Sequence, residues 1–195
     1  MRYSSQHKAE TRVRLLKSAA VVAKRSGLAA ASVDRIATSA GITGGALYSH
    51  FPSKDELFAS LVAQEIESCM LTRLTRTGDL TKERLLVGLK QYLSIDHSVN
   101  VEGGCPIPSL GTDISRANES VKQDFEAWLI ELHHSWTETL GSSSEAWAVI
   151  AQCTGAILLA RMLAGNDAKQ KVLDGSYKSL ASRLEGAFYK AEQLS

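Results

Sequence analysis

The stretch GITGGALYSHFPSKDELF, residues 41–58, decides the fold of this chain. Ala37 is small enough for two helices to cross closely, and Gly41, four residues later, permits a tight turn between them. This spacing predicts two short helices joined as a helix-turn-helix. The apolar residues that would face its small core are Ile36, Ile42 and Leu47.

Capping residues flank each of these short helices. Ser32 is placed to cap a helix that starts at Val33, and Thr43 is placed to cap one that starts at Gly44. Ser53 is a predicted cap for the next helix, since Pro52 suits the residues just before or within a first turn. The sequence therefore predicts three helix starts within about two dozen residues.

The rest of the chain is also patterned as helices. Apolar residues recur at spacings of three and four, and long alternating β-branched runs are absent. The least helical part is HSVNVEGGCPIPSLG, residues 97–111, where glycines and prolines predict an irregular segment. We predict an all-α protein with a break near Gly78 and Asp79. The eight predicted helices are Lys8–Arg25 (ended by Gly27), Val33–Ala40, Gly44–His50, a fourth from Ser53 to Arg76, Lys82–Ile95, Glu119–Leu140, Ser144–Leu163 and Ala168–Gln193.

The charge is distributed unevenly along the 195 residues. The first 54 residues contain nine basic and two acidic side chains, a net charge of +7, whereas the whole chain has a net charge of +1. A basic first quarter on an acidic body indicates that one end of the molecule meets a polyanion. The alternative is a basic face that is simply solvated.

Three features bear on the compartment. Cys69, Cys105 and Cys153 are widely spaced and form neither a disulfide framework nor a zinc motif. The N-terminus lacks the apolar core of a signal peptide, and the apolar run GAILLA, residues 155–160, stops at Arg161. These features predict a cytoplasmic protein without a membrane partner.

With these motifs in place, a family resemblance becomes evident. The segment ASVDRIATSAGITGGALYSHFPSKDELF, residues 31–58, resembles the DNA-binding signature of the TetR (tetracycline-repressor-like) family of transcriptional regulators. The resemblance implies an N-terminal three-helix helix-turn-helix DNA-binding domain, residues 1–54. It further implies a C-terminal helical domain, residues 55–195, that binds an effector and dimerises. The matched positions are Ile36, Ala37, Ala40, Gly41, Thr43, Gly45, Leu47, Tyr48, Phe51, Lys54 and Leu57.

The resemblance implies roles for residues on and around the second helix of this motif. Gly45 would let the backbone approach a phosphate, Thr43 would offer its hydroxyl, and Tyr48 would donate to a phosphate oxygen. His50 and Lys54 would add contacts to the DNA backbone, and Ser32 would contact the DNA backbone from the other side. Base reading would fall to the remaining candidates, which are Arg35, Gly44, Ala46 and Ser49.

The basis of sequence reading stays open. The recognition-helix candidates are small, and none is a bidentate Arg, Asn or Gln. Specificity would come from thymine-methyl contacts, from Arg35, from an arm near Arg2 or from DNA shape.

The body offers candidates for an effector pocket. Large aromatic residues in predicted helices would line an apolar cavity, although packing in the core is the commoner fate of such side chains. Cys105 lies in the irregular segment, where Pro106 and Pro108 indicate a helix start that would lower the thiol pKa. The alternative is that Cys105 is a small buried apolar residue. The full candidate set is Tyr92, Cys105, Phe125, Trp128, Trp136 and Trp147.

These observations predict a sequence-specific, DNA-binding transcriptional regulator. We expect a homodimeric repressor that leaves a palindromic operator in double-stranded DNA when an electrophilic or aromatic small molecule binds. No enzymatic activity, cofactor or metal is predicted, and adjacent His133 and His134 would point about 100° apart on a helix. The alternatives are a helical enzyme that uses the C-terminal pocket and a DNA-binding protein without a ligand.

Overall fold

A computed structural model of the chain describes residues 3–76 and 80–192. The described residues form helices and no strand, which confirms the predicted all-α class. The predicted break at Gly78 and Asp79 and the arm residue Arg2 lie outside the described residues. The helices are α1 (Tyr3–Ala30), α2 (Val33–Ser39), α3 (Gly44–Tyr48), α4 (Lys54–Ser68), α5 (Met70–Arg76), α6 (Lys82–Tyr92), α7 (Ile95–Val99), α8 (Ile107–Ser115), α9 (Glu119–Leu140), α10 (Ser143–Met162) and α11 (Asn166–Glu192).

The predicted helix starts in the N-terminal region are confirmed. The side-chain oxygens of Ser32, Thr43 and Ser53 each accept a hydrogen bond from a backbone N–H three residues later, at 3.0–3.2 Å. Gly41 has a φ of 72°, the left-handed geometry that the turn between α2 and α3 requires. Gly27 also has a positive φ, and it kinks α1 three residues before the helix ends.

The fold has three more helices than the sequence predicts among the described residues. The predicted fourth helix is interrupted at Cys69, whose extended backbone (φ −70°, ψ 160°) ends α4. Two short helices, α7 and α8, occupy much of the segment 97–111 that was predicted to be irregular. Pro108 does not prevent α8 because it lies in the first turn, where a backbone N–H has no partner within the helix.

Two apolar clusters form the core. The first joins α1, α2, α3 and α4 to Leu110 and Ile114 of α8 and Val121 of α9. The second is built by α5, α6, α9, α10 and α11, and includes all three cysteines. Because α4 supplies buried residues as far as Ile66 to the first cluster, this helix ties the N-terminal helices to the body. The division between residues 54 and 55 remains a prediction.

The C-terminal end of α1 is fastened to the body by two basic residues. Lys24 forms a buried ion pair with Glu65 of α4, and its Nζ donates to the carbonyl oxygens of Glu102 at 2.6 Å and Gly104 at 3.0 Å. Arg25 pairs with the Glu102 carboxylate. Both cations were counted in the basic first quarter, but the structure pairs each with a carboxylate of the body, Lys24 in a buried contact and Arg25 at the surface.

Helix α10 is the most apolar long helix among the described residues. By length and composition alone it passes the test for a helix that spans a membrane, with a mean hydropathy of 1.2. However, α10 packs against α9 and α11, and its buried residues include Val149, Cys153 and Ile157. Its place in the body explains only part of the apolar character of α10, because 39% of the apolar window is buried and Leu158, Leu159 and Met162 are exposed.

Candidate nucleic-acid interface

The turn between α2 and α3 has the geometry that the sequence predicts. Ile36, Ala37 and Leu47 are buried, and the Ile42 N–H donates to the Ala37 carbonyl oxygen at 3.0 Å across the turn. The left-handed Gly41 makes this reversal possible. The two helices therefore form a helix-turn-helix whose second member, α3, has one face buried and one face open.

The open face of α3 is small and polar. Tyr48 is 51% exposed, and Thr43, Gly45 and Ser49 are also exposed. A Cβ added to Gly45 would meet nothing within 4 Å, so the backbone is uncovered there. The Ser49 hydroxyl donates to the Ala46 carbonyl oxygen at 2.7 Å, which fixes that side chain at the end of the helix. This surface is open to a molecule as wide as a duplex.

Gly44 has different surroundings from Gly45. A Cβ built at Gly44 would lie 2.8 Å from the Asp34 Oδ1 atom of α2. The missing side chain lets α2 and α3 approach each other, so Gly44 is half-buried between the helices. Ser32 and Arg35 are exposed at the start of α2, and Lys54 is half-buried at the start of α4.

A groove of about 670 Å³ runs between α1 and α3. Its α1 wall carries Lys8 and Arg14, and its α3 wall carries Ala46 and Ser49. Sequence reasoning counted the two basic residues in the charged first quarter but did not place them beside α3. Only the packing of α1 across the helix-turn-helix brings them there.

His50 closes this groove at the end of α3. Partial burial lowers its pKa, and the nearby positive charges of Lys8, Arg12 and His7 lower it further. The Nδ1 atom is buried without a hydrogen-bond partner. A neutral imidazole with a spare nitrogen is able to accept or donate a hydrogen bond, which suits a contact to a polar group in the groove.

Arg12 is an important residue that sequence reasoning missed. Its Nη1 donates to the His50 carbonyl oxygen at 2.6 Å, and its Nη2 donates to the Ser60 hydroxyl at 3.0 Å. The guanidinium also stacks over the Phe51 ring at 4.0 Å. Arg12 thus braces the link between α3 and α4 against α1. An arginine among several in a basic segment gives no sequence signal for this role.

Comparison with known proteins agrees with this geometry. The model of the bacterial regulatory proteins of the tetR family matches residues 15–61, which include the whole helix-turn-helix. Residues 15–61 therefore match the DNA-binding region of the tetR-family regulators.

Solved structures of several TetR-family regulators share the fold of this chain over nearly its whole length. A TetR transcriptional regulator from Chloroflexus aurantiacus is 21% identical, with a TM-score of 0.77, and the match covers 92% of this chain and 96% of that one. A TetR-family regulator from Cytophaga hutchinsonii is also 21% identical, with a TM-score of 0.74, covering 92% and 96%. The reduced form of NemR from E. coli is 17% identical, with a TM-score of 0.73, covering 88% and 95%. These likenesses confirm the all-α fold, with an N-terminal helix-turn-helix domain and a C-terminal helical domain.

The C-terminal helices of this chain bring only some of the effector candidates together. Tyr92, Cys105 and Trp136 are buried members of the second core cluster. Among the described residues, neither the Tyr92 hydroxyl nor the Trp136 Nε1 has a hydrogen-bond partner at ordinary distance, although the Tyr92 hydroxyl lies close to the Cys105 thiol. Two unpaired donors in one core are costly unless another molecule pairs with them.

The other candidates have separate surroundings. Trp128 donates from Nε1 to the Thr72 hydroxyl at 2.9 Å, and Phe125 packs on its ring at a centroid distance of 5.4 Å. Trp147 is 38% exposed and stacks on His133 with ring centroids 4.1 Å apart. These three side chains are therefore not gathered around the Tyr92 and Trp136 donors.

His97 fixes the backbone around Cys105. Its Nδ1 lies 2.6 Å from the Tyr92 carbonyl oxygen, and its Nε2 accepts from the Cys105 N–H at 2.8 Å. This arrangement requires the proton on Nδ1, because a carbonyl oxygen only accepts. Burial lowers the His97 pKa, which is consistent with a neutral ring.

The thiol chemistry differs from the sequence prediction. Cys105 was expected to have a lowered pKa, but its burial raises the pKa of the thiol well above its ordinary value. Cys69, which follows the last residue of α4, has its pKa lowered to about 6, mainly by a hydrogen bond from the Cys105 thiol. The backbone N–H groups at the start of α5 lower it further, and the Thr72 hydroxyl lies 3.3 Å from Cys69 Sγ. The more acidic thiol is therefore Cys69, at the helix break that the sequence did not reveal.

Proposed function

We propose that this protein is a sequence-specific transcriptional repressor that acts in the cytoplasm as a homodimer and is released from a palindromic operator by a small-molecule effector. The observation that carries the DNA-binding part is the open face of α3 beside the groove with Lys8 and Arg14. A small polar helix flanked by basic side chains fits a major groove and its phosphates.

The proposed DNA contacts follow from the exposure of each side chain. Thr43, the Gly45 backbone and the Tyr48 hydroxyl would meet phosphates, because they lie on the open face of α3. Lys8 and Arg14 would neutralise further phosphates from α1. For His50, Lys54 and Ser32 we propose the contacts to the DNA backbone that the family resemblance implies. The proposed base-reading residues are Ala46, Ser49 and Arg35, and Gly44 contributes chiefly to helix approach.

The proposed dimer rests on the outer face of α10. Its exposed residues include Trp147, Leu158, Leu159 and Met162, which recur at helical spacing without a charged side chain among them. Small residues such as Gly155, with nothing within 4 Å of an added Cβ, allow a second helix to approach closely. A two-fold pairing here would set two α3 helices about 34–36 Å apart, the spacing of successive major grooves.

The proposed effector site is the buried cluster around Cys105. An effector that accepts hydrogen bonds would satisfy the Tyr92 hydroxyl and the Trp136 Nε1. An electrophile would instead react with the neighbouring thiols, and Cys69 is the better nucleophile of the pair. Cys69 ends α4, which also packs on α1, so a change at this thiol has a direct path to the N-terminal helices.

The test of the DNA-binding proposal is a binding assay with the full chain and duplexes that it selects from a random pool. We expect selection of a palindrome and an affinity that falls steeply with salt. Tyr48→Ala should weaken binding to selected and scrambled duplexes by a similar factor, while Tyr48→Phe separates the hydroxyl from the ring. Failure to retain any duplex at low ionic strength would refute the proposal, and unchanged affinity of Tyr48→Ala would remove Tyr48 from the interface.

Effector response separates this proposal from a DNA-binding protein without a ligand and from a helical enzyme. A thiol-reactive electrophile should lower operator affinity in the wild-type protein. Cys69→Ser and Cys105→Ser, tested singly, identify which thiol is required. A normal response in both variants would leave noncovalent binding near Tyr92 and Trp136 as the better account.

A further inference from the structure

A second cavity lies where the end of α1 meets α8 and α10, and it is separate from the groove beside α3. It has a volume of about 470 Å³, within the range of small-molecule sites. One wall is the end of α1 with Lys24 and Arg25, and the opposite wall is formed by α8 and α10 with Ser109 and Arg161. The site therefore has three cations on its walls.

The charge of this cavity is not balanced. Lys24 is paired with Glu65, and Arg25 is paired with Glu102. Among the residues that the structure describes, Arg161 has no carboxylate within 4.0 Å, although it is largely buried and burial lowers its pKa. A buried cation without an anion is unfavourable, so the wall has a net attraction for a negative group.

The guanidinium of Arg161 is held in place but not saturated. Its Nε donates to the Ser98 carbonyl oxygen at 3.1 Å, and its Nη1 donates to the Ser109 hydroxyl at 2.6 Å. Its Nη2 is buried without a partner. Arginine has five N–H bonds, and only two are used here, so donors on Nη1 and Nη2 remain. Because Nη2 is buried against Gly104, the N–H that remains on Nη1 is the donor that we assign to a carboxylate oxygen, in a charge-assisted hydrogen bond.

The neighbouring groups support the same ligand chemistry. The Ser109 hydroxyl accepts from Arg161 and keeps its own O–H proton for a second anion oxygen. Gly104 leaves room for the guanidinium, because a Cβ there would lie 2.8 Å from Nη2. Val99, Pro108 and Leu158 add apolar surface to the cavity, and Val99 is 55% exposed at its edge.

We propose that this cavity binds a small organic carboxylate, with the carboxylate on Arg161 and Ser109 and the apolar part against Val99, Pro108 and Leu158. The cavity adjoins the effector cluster around Cys105, since Arg161 Nη2 packs against Gly104, but the residues that line the cavity are different ones. Because α1 forms one wall, occupancy would also act on the junction that carries the DNA-binding helices. That last step rests on the proposed function, whereas binding itself is measured without DNA.

The test is ¹⁹F NMR titration of the full chain with 4-fluorobenzoate at fixed ionic strength, with 4-fluorobenzamide as a neutral probe. We expect the carboxylate to bind and the amide not to bind. Arg161→Gln should weaken 4-fluorobenzoate binding by about 10–100-fold, the equivalent of a lost hydrogen bond to a charged group. Arg183→Gln is the matched control, since Arg183 is already paired with Glu145 on the far side of α10.

A second pair of variants protects the test against misfolding of Arg161→Gln. Val99→Glu places a carboxylate at the exposed edge of the cavity, where it should compete with the ligand for Arg161, while Val99→Gln has the same shape without the charge. Loss of binding in Val99→Glu with retention in Val99→Gln supports the proposal. No binding by the wild-type protein, equal binding of the amide, or unchanged binding in Arg161→Gln and Val99→Glu would overturn it. Tighter binding of inorganic phosphate than of 4-fluorobenzoate would overturn the assignment to an organic carboxylate.

Discussion

Replacement of Lys24 by Met tests how the N-terminal helices are fastened to the body. The Lys24 side chain is only 2% exposed, and its Nζ contacts the Glu65 carboxylate and the carbonyl oxygens of Glu102 and Gly104. Methionine keeps most of the apolar stem but removes the charge and every donor. Glu65, whose side chain is 14% exposed, would then be a nearly buried carboxylate without its partner.

The magnitude follows from this burial. Removing one partner of a buried ion pair costs about 3–5 kcal/mol, because the remaining charge is left uncompensated. In a chain of this length each kcal/mol corresponds to about 2–4 °C in Tm, so we expect Tm to fall by about 6–20 °C.

The assay is thermal unfolding followed by circular dichroism at a single protein concentration. Lys17→Met is the matched control, since Lys17 is an exposed lysine on the same helix and its loss should change stability by no more than about 0.5 kcal/mol. The double variant Lys24→Met/Glu65→Leu should recover part of the loss, because the unpaired carboxylate is gone. If Lys24→Met melts like Lys17→Met, or if the double variant melts below Lys24→Met, the buried pair is not the fastening that we describe.

Three further outcomes are expected. Gly45→Ala should stabilise the protein slightly, by up to about 1 kcal/mol, because the added methyl group meets no neighbour. The same methyl group should weaken operator binding in a retention assay, because it holds the backbone away from a phosphate. Equal affinity would place Gly45 away from the duplex. Arg12→Gln should lower the free energy of unfolding in urea by about 2–4 kcal/mol through the lost charged hydrogen bonds and ring contact, with exposed Arg14→Gln as the control. Methyl methanethiosulfonate should modify Cys69 before Cys153, because the pKa of Cys69 is lowered to about 6 whereas burial raises the pKa of Cys153 to about 12. The rate of Cys69 modification should rise through about pH 6. Mass spectrometry that finds Cys153 modified first would contradict this order.

Local signals predicted the N-terminal fold well. The side chains of Ser32, Thr43 and Ser53 each cap a helix through the backbone N–H three residues later. Gly41 makes the turn because it has no side chain to hinder a positive φ. Such effects depend on neighbours along the chain. The helix break at Cys69 was not predicted, because its cause is not local: the Thr72 hydroxyl donates to the Ile66 carbonyl oxygen and is itself held by Trp128 from a distant helix.

The candidate sites show the same division. The residues on the open face of α3 could be chosen from the sequence, since helical spacing alone separates Tyr48 from Leu47. The roles of Lys24, Arg12 and Arg161 could not, because a basic residue has the same sequence signature whether it is solvated, paired or buried. Cys105 was chosen for its place beside two prolines, but the pKa of a thiol depends on burial and on the groups around it.

By itself the sequence determined the helical class, the helix-turn-helix and the polar face of α3, because these follow from side-chain size, capping and periodicity within one short stretch. Only the tertiary structure decided which charges remain free and which are used internally. It paired Lys24 with Glu65 and braced α3 with Arg12, and in each pair the partners lie 38 or more positions apart in the chain. It also placed Arg161 where no carboxylate among the described side chains forms an ion pair with it.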